Sequence, residues 1–274
     1  MIEQLLDNLA SLLPFAAFGY GMLTVRYVVI AGLAVLIFYV RRRDHRIETK
    51  IQRHWPRPGD YRREIGYSML TFGVFIAVAL MSHRGLLREH SLIYGDVSEY
   101  GWLWFVASVV VVLVIHDAYF YWAHRAMHHP LLYRRVHLVH HRSTNPTPWA
   151  AFAFHPIEAV FEALPIVGIA FLIPVHFGVL ALSMLMMTAY NVYGHLGWEL
   201  YPRGFAHGRI GRWINTSISH NHHHARARDN YGLYFLWWDR WFGTLDPEYE
   251  TAFDRDAEHR ASRPAPLVTE TARA

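Results

Sequence analysis

Histidine is the residue type most able to do chemistry in this sequence. The chain has 20 of them, and 15 fall between His116 and His224. They are grouped at spacings that repeat. His124 and His128 lie four apart, so on a helix their rings share one face and can grip one metal ion. His137, His140 and His141 follow the pattern i, i+3, i+4, and His220, His223 and His224 repeat it. On a helix each triplet would again put three rings on one face. A pair and two triplets supply eight nitrogens, more than the roughly four that one tetrahedral zinc site takes. Eight suit two metal ions, each with several imidazoles and an open position. The absence of cysteine excludes thiolate ligands and disulfides alike. Imidazole-rich sites suit iron, zinc, copper and nickel, and open positions without thiolate favour oxygen chemistry at iron. The ligand types alone do not choose iron over zinc, copper or nickel.

Further residues sit where they could complete such a site. Asn191, His195 and Glu199 lie at i, i+4, i+8. His195 is a candidate ninth ligand, with Asn191 and Glu199 orienting it; the blander reading is a helix-end histidine facing lipid headgroups. His116 precedes His124 by eight residues and would either ligate or support. Asp117 beside it could fix a ligand's tautomer through the far ring nitrogen. The segment His155-Pro156-Ile157-Glu158 reads first as a helix start, with Pro at the first helical position. His155 and Glu158 are also candidates to support the ligands. His129 and His222 read as solvent-facing or supporting neighbours. The remaining histidines lack partners at useful spacing.

The elements that must carry these residues are largely apolar. Hydrophobic residues make up 53 % of the chain, and they are gathered into long runs between stretches rich in Arg and His. Leu12–Val40 is apolar except for Arg26, and its second half reads as a first membrane helix. Tyr67–Met81 and Trp102–Trp122 read as a second and third, and Ile157–Ile173 and Val175–Tyr193 as a fourth and fifth with Pro174 between them. Several runs are close to or below the roughly 20 residues that span a bilayer, so four to five membrane helices, some partly re-entrant, are expected. The start carries Glu3 and Asp7 and lacks the basic region of a cleavable signal. Nine Lys or Arg residues lie between Arg41 and Arg63, against Arg84 and Arg88 alone in the loop from Ser82 to Gly101. The positive-inside rule then places the first loop, all the histidine clusters and the Arg-rich tail in the cytoplasm. The fold class expected is all-α: an integral membrane protein whose histidine clusters share one face, in an inner membrane of bacterial type.

Three regions are expected: membrane helices and a basic loop over 1–100, a catalytic domain over 101–246, and a polar, poorly ordered tail over 247–274. The formal charge of +4 could suggest nucleic acid, but with such apolar spans an anionic membrane surface is the partner expected, and nucleic acid is not.

The pair at His124 and the triplets at His137 and His220 resemble the three histidine boxes of the fatty acid hydroxylase superfamily, which includes sterol desaturases, sterol C4-methyl oxidases and fatty acid hydroxylases. His116-Asp117, Tyr121-Trp122, Pro130-Leu131-Leu132-Tyr133, His155-Pro156-x-Glu158, Asn230-Tyr231-Gly232 and Trp238-Asp239-Arg240-Trp241-Phe242-Gly243-Thr244 agree with it. The likeness covers about residues 100 to 246. The step from His224 to Asn230 makes His220, His223 and His224 the motif positions and His222 the variable one. The resemblance implies a helical membrane protein with a cytosolic cap over a dimetal centre of two iron ions, with zinc as an ion the isolated protein could carry. It implies O2 as oxidant, a lipid C–H bond as target, and electrons from an external reductase, ferredoxin or cytochrome, because no haem, flavin or dinucleotide fingerprint is present. Hydroxylation and desaturation differ by substrate placement of about an ångström, which the sequence does not resolve.

Other readings compete with a lipid hydroxylase or desaturase. A His-rich metal transporter would place ionisable groups in mid-membrane, whereas these cluster near helix ends. A zinc hydrolase would show His-Glu-x-x-His, which is absent. Ether-lipid cleavage stays within the same family. The aromatic segment from Tyr231 to Phe242 reads as an interfacial anchor or as the lining of a lipid entrance.

Overall fold

The structure, a computed structural model, describes residues 11–41, 47–84 and 89–262. Glu3, Asp7, Arg42, Arg43, Arg46, Arg88 and the end of the tail lie outside them. Helix α1 spans Leu13–Val35 and continues as a π-helical turn over Leu36–Val40. It thus covers the whole first apolar run and not only its second half, starting where Pro14 stands in the first turn, a position that needs no N–H donor. Helix α2 spans Pro58–Arg84 and α3 spans Gly101–Met127. Two short helices follow, α4 at Pro130–Val136 and α5 at Leu138–His141. Helices α6 (Pro156–Leu172) and α7 (Phe177–Gly194) form a hairpin.

Four stretches among the described residues are long and apolar enough to cross a membrane: Leu13–Val40, Pro58–Ser82, Gly101–Met127 and Phe177–Gly194. Only 17–28 % of their apolar windows is buried within the protein. The chain is an all-α integral membrane protein, and lipid is the natural partner of that uncovered surface. Helix α6 has 17 residues and falls short of a full span. Helix α3, with 27 residues, is about 40 Å long and outruns a hydrocarbon core of about 30 Å. Its last turns, which carry His124, can therefore project beyond the lipid.

A parallel pair of two-residue strands, β1 (Ile93–Tyr94) and β2 (Val175–His176), pins the turn of the α6–α7 hairpin. Trp104 at the start of α3 donates Nε1–H to the Pro174 carbonyl at 2.9 Å. This holds the far ends of α3, α6 and α7 together. Their near ends then converge on the cap, made of α8 (Ser217–Arg226), α9 (Trp237–Trp241) and α10 (Tyr249–Ala261).

The regions expected over 1–100 and 101–246 share one core. Leu23, Tyr27 and Phe72 pack with Phe152, Phe154, Ala159 and Val192. The basic loop also straps onto the cap: Gln52 donates to the Thr144 carbonyl and to Asn221 Oδ1 at 2.7 and 2.9 Å, and the Lys50 ammonium donates to Asn145 Oδ1. The tail departs from its expected disorder. Its first part is α10, whose Tyr249 and Phe253 pack against Ile218 and Leu236. Those side chains recur on one helical face and buy the segment a buried stripe.

Candidate dimetal centre

Nine histidines converge in one layer at the end of α3, along α4 and α5, at the end of α7 and on α8. They form two groups: His124, His128, His137, His141 and His223 in one, and His140, His195, His220 and His224 in the other. Within each group one ring nitrogen per residue lies within 4.8 Å of all the others. All nine are residues whose spacing made them candidate ligands. Their sharing differs from a simple triplet-per-face picture. His140 leaves its triplet for the second group, and His223 leaves its triplet for the first. Helix α5 has four residues, so His137 sits at its cap and the three rings fan out instead of stacking.

The outer ring nitrogens show how the rings are set. Nδ1 of His124 lies 2.9 Å from the Tyr231 carbonyl, that of His128 3.0 Å from the Ala227 carbonyl, and that of His223 2.6 Å from the Asp229 carbonyl. Nδ1 of His195 is 2.7 Å from the Asn191 carbonyl, and that of His224 is 3.0 Å from the Ser143 carbonyl. His137 uses a carboxylate: its Nδ1 is 2.6 Å from Glu158 Oε1, with both side chains buried. A carbonyl or carboxylate can only accept, so in these rings Nδ1 carries the proton and Nε2 keeps a bare lone pair.

Those bare nitrogens face one another. Nε2 of His124 and His137 are 3.1 Å apart, as are Nε2 of His195 and His224. With Nδ1–H already donated, neither member of these pairs has a proton to share. Two lone pairs at this distance repel, and a cation between them turns the repulsion into coordination. His223 Nε2 is buried with no hydrogen-bond partner, another nitrogen left for a metal. Burial also holds the cap imidazoles neutral, the form that ligation needs. It lowers His195 to about 4 and, with the neighbouring rings, His141 to about 3. His220, His223 and His224 are held well below the ordinary range for the same reason. The residues present therefore fit two metal ions held by imidazole nitrogen, in a donor set suited to iron or zinc.

The supporting residues divide. Glu158 touches His137, one of the nine candidate ligands. His155 caps α6, accepting from the Ile157 N–H, and reaches no ligand. Asn191 holds His195 with its backbone carbonyl, while its side chain donates to the Ala151 carbonyl at 2.6 Å. The expectation that Glu199 orients His195 does not hold. Helix α7 ends at Gly194, and Glu199 instead accepts from the Tyr193 hydroxyl and from the Ile218 and Tyr201 N–H groups. Asp117 likewise meets no imidazole. It accepts from the Tyr234 N–H at 2.7 Å, the Phe235 N–H at 3.3 Å and Trp237 Nε1–H at 3.0 Å. His116 lies outside both groups, its Nδ1 2.9 Å from the Tyr234 hydroxyl. His129 caps α4, and His222 pairs with Asp246 at 2.8 Å.

The loop after α8 was the feature hardest to foresee. Ala227, Asp229 and Asn230 adopt left-handed φ of 53°, 62° and 56°, unfavourable for side chains other than glycine. This stretch and Tyr231 turn their carbonyls onto His128, His223 and His124. Asp239 secures the loop by accepting the Tyr231 and Gly232 N–H groups at 2.8 and 2.9 Å. A Cβ on Gly232 would meet the Phe235 carbonyl oxygen at 2.2 Å, so only glycine fits. The Asn-x-Gly and Trp-Asp pairings were visible in the sequence as motifs, but not as the clamp on this loop.

Known proteins similar to this chain fall in one family. The fatty acid hydroxylase family profile matches residues 109–244. A Delta(7)-sterol 5(6)-desaturase of Gibberella zeae is 31 % identical over 250 residues, covering 88 % of this chain and 72 % of its own length. One from Aspergillus fumigatus is 32 % identical over 76 % of this chain and 65 % of its own length. The lathosterol oxidase of Rattus norvegicus is 33 % identical over 63 % of this chain and 56 % of its own. The chain thus spans from just over half to almost three quarters of these relatives. They come from fungi and a mammal and give no support to a bacterial membrane. No solved structure matches. The chain belongs to the fatty acid hydroxylase family.

Proposed function

We propose that this member of the fatty acid hydroxylase family is an O2-dependent membrane oxidoreductase that desaturates or hydroxylates a sterol-like lipid at a His-ligated di-iron centre. The single observation that carries the reading is the facing of bare Nε2 atoms in two buried groups of histidines. The names of the relatives supply the substrate class and favour insertion of a double bond over hydroxylation. Two iron ions held there would supply O2 activation and abstraction of hydrogen from an unactivated C–H bond.

The chain's own residues prepare that chemistry. Glu158 and the carbonyls of Tyr231, Ala227, Asp229, Asn191 and Ser143 fix the tautomers and hold the rings in place before metal arrives. Packing of α8 and its loop over the layer excludes bulk water. The ligand layer lies at the cap ends of α3 and α7, so substrate reaches it from the lipid side. Exposed Trp122, Trp241 and Phe242 would anchor that edge at the membrane interface. The strapped basic loop favours a cytoplasmic cap.

Converting a CH–CH unit and O2 into a double bond and two waters consumes two electrons and two protons. Hydroxylation consumes the same. The electrons come from a separate donor, such as a reductase, ferredoxin or cytochrome. Expression in a desaturase-deficient sterol-producing host, with product analysis by mass spectrometry, tests the reading. A product two mass units lighter than its substrate is expected. Oxygen insertion would point to hydroxylation or ether cleavage, and O2-independent metal movement without product would favour a transporter.

A further inference from the structure

Glu162 and His116 are ionisable side chains on the lipid side of the ligand layer, and neither holds a metal ligand. Helix α6 leads away from the layer, and Glu162 lies one turn beyond Glu158, about 6 Å further along the axis. Helix α3 leads toward the layer, and His116 lies eight residues before His124, about 12 Å short of it. Both are thus displaced in the same direction, into the helical span. His116 is satisfied by the Tyr234 hydroxyl at 2.9 Å. Glu162 is not: among the described residues its carboxyl makes no hydrogen bond and no ion pair. It is half-buried and close enough for its charge to act on Tyr119, Glu158 and Tyr234.

A lone carboxyl at this depth is costly unless something meets it. Its surroundings describe what that is. Val160, Phe161 and Leu164, on other faces of α6, are 40 %, 41 % and 39 % exposed, so this stretch of the helix carries an uncovered apolar surface. The Tyr119 hydroxyl is already committed, donating to the Phe161 carbonyl at 2.9 Å. On the other side Oε2 of Glu158 is likewise buried without a hydrogen-bond partner, so two successive carboxyls on this face of α6 have unmet hydrogen-bonding capacity. The matching ligand is mostly hydrocarbon and carries one neutral hydrogen-bond donor.

We propose that Glu162 receives a hydroxyl group of the lipid substrate on the membrane side of the metal layer, and so sets which carbons reach the metals. The assignment rests on the lipid-oxidation reading. With its hydroxyl held one turn below Glu158, a rigid lipid presents carbons a few bonds away to the open positions of the two groups. Leaving a partly buried carboxyl without its donor lowers affinity by about tenfold.

The test measures binding of lathosterol and of its 3-methyl ether to the full-length, metal-loaded protein in detergent. The ether keeps the hydrocarbon and loses the donor. Wild-type protein should bind the sterol at least about tenfold more tightly than the ether. Glu162→Leu should bring the two within about twofold, by weakening sterol binding, while metal content and melting temperature stay unchanged. Glu162→Gln, which keeps an acceptor, should retain part of the preference. Persistence of the full preference in Glu162→Leu overturns the assignment, as does a wild-type protein that binds sterol and ether alike. Product formation is scored separately: discrimination without any oxidised product would sink the oxidase reading and leave the hydroxyl site standing.

Discussion

Glu158 Oε1 and His137 Nδ1 meet at 2.6 Å with both side chains buried. The carboxylate takes the ring's N–H and leaves His137 Nε2 aimed at Nε2 of His124 and His141, each 3.1 Å away. Partners of this kind typically contribute about 10- to 100-fold to metal affinity or activity. Glu158→Gln should therefore weaken the ion held by the five-histidine group by about that factor. The other ion and the fold should be spared. Chelator competition on the purified variant measures it. Unchanged affinity would reduce Glu158 to a support for the start of α6.

Gly194 addresses the other group. A Cβ there would lie 3.1 Å from His220 Cδ2 and 3.3 Å from its Cγ. His220 is boxed in by His195 and His224, with Nε2 separations of 3.1 and 3.2 Å, so it has little room to yield. Gly194→Ala should lower occupancy of the four-histidine site, and Gly194→Val more so, with the first site kept. Loss of both ions together would show that the two groups are not separable sites.

Asp117 acts on backbone, and its substitution should read out there. Asp117→Asn weakens the hold on the Tyr234 and Phe235 N–H groups, and losing such a charge-assisted contact costs about 1–3 kcal/mol. Hydrogen exchange over residues 231–237 should accelerate, with metal loss following as His124 loses its fixed acceptor. Asp239→Asn should do the same over 231–232. Fast metal loss with no change in exchange would return Asp117 to a direct role at the ligands.

Acid should unload and destabilise the protein. The folded pKa of His195 is lowered to about 4 and that of His141 to about 3 by burial, against about 6.5 for an unfolded chain. Between those values the unfolded chain binds more protons, so stability falls as pH drops from about 6.5 toward 4 and is flat above. Metal binding sharpens the fall, because protons compete for the same nitrogens. Melting temperature followed from pH 8 to 4 checks this; a flat profile would mean these rings are not held neutral.

The nine converging histidines were legible as candidates because helical spacing places imidazoles on shared faces, and His195 stood at a helix end pointing the same way. How the rings divide into two groups was not legible, since it depends on the four-residue α5 and on the turn between His220 and His223. The ring partners were hidden for a plainer reason. Most are backbone carbonyls in the loop from Ala227 to Tyr231, and sequence does not announce a carbonyl's direction. Asp117 and Glu199 stand near histidines in sequence, but in space they accept from backbone N–H groups, the Trp237 indole and the Tyr193 hydroxyl. The helix at the start of the tail did leave a signal: Tyr249, Phe253 and Ala257 recur every four residues and are buried, in a segment otherwise rich in charge. Glu162 left one too, four residues after Glu158 in an apolar run.

Metal content is the most direct test of the two-group site. Full-length protein purified without chelators should contain about two ions per chain, and X-ray absorption should show nitrogen and oxygen donors only. His128→Ala, in the five-histidine group, and His140→Ala, in the other, should each lose one ion and keep the second. A single ion in the wild type, or none, or sulfur in the first coordination sphere, would contradict the dimetal centre.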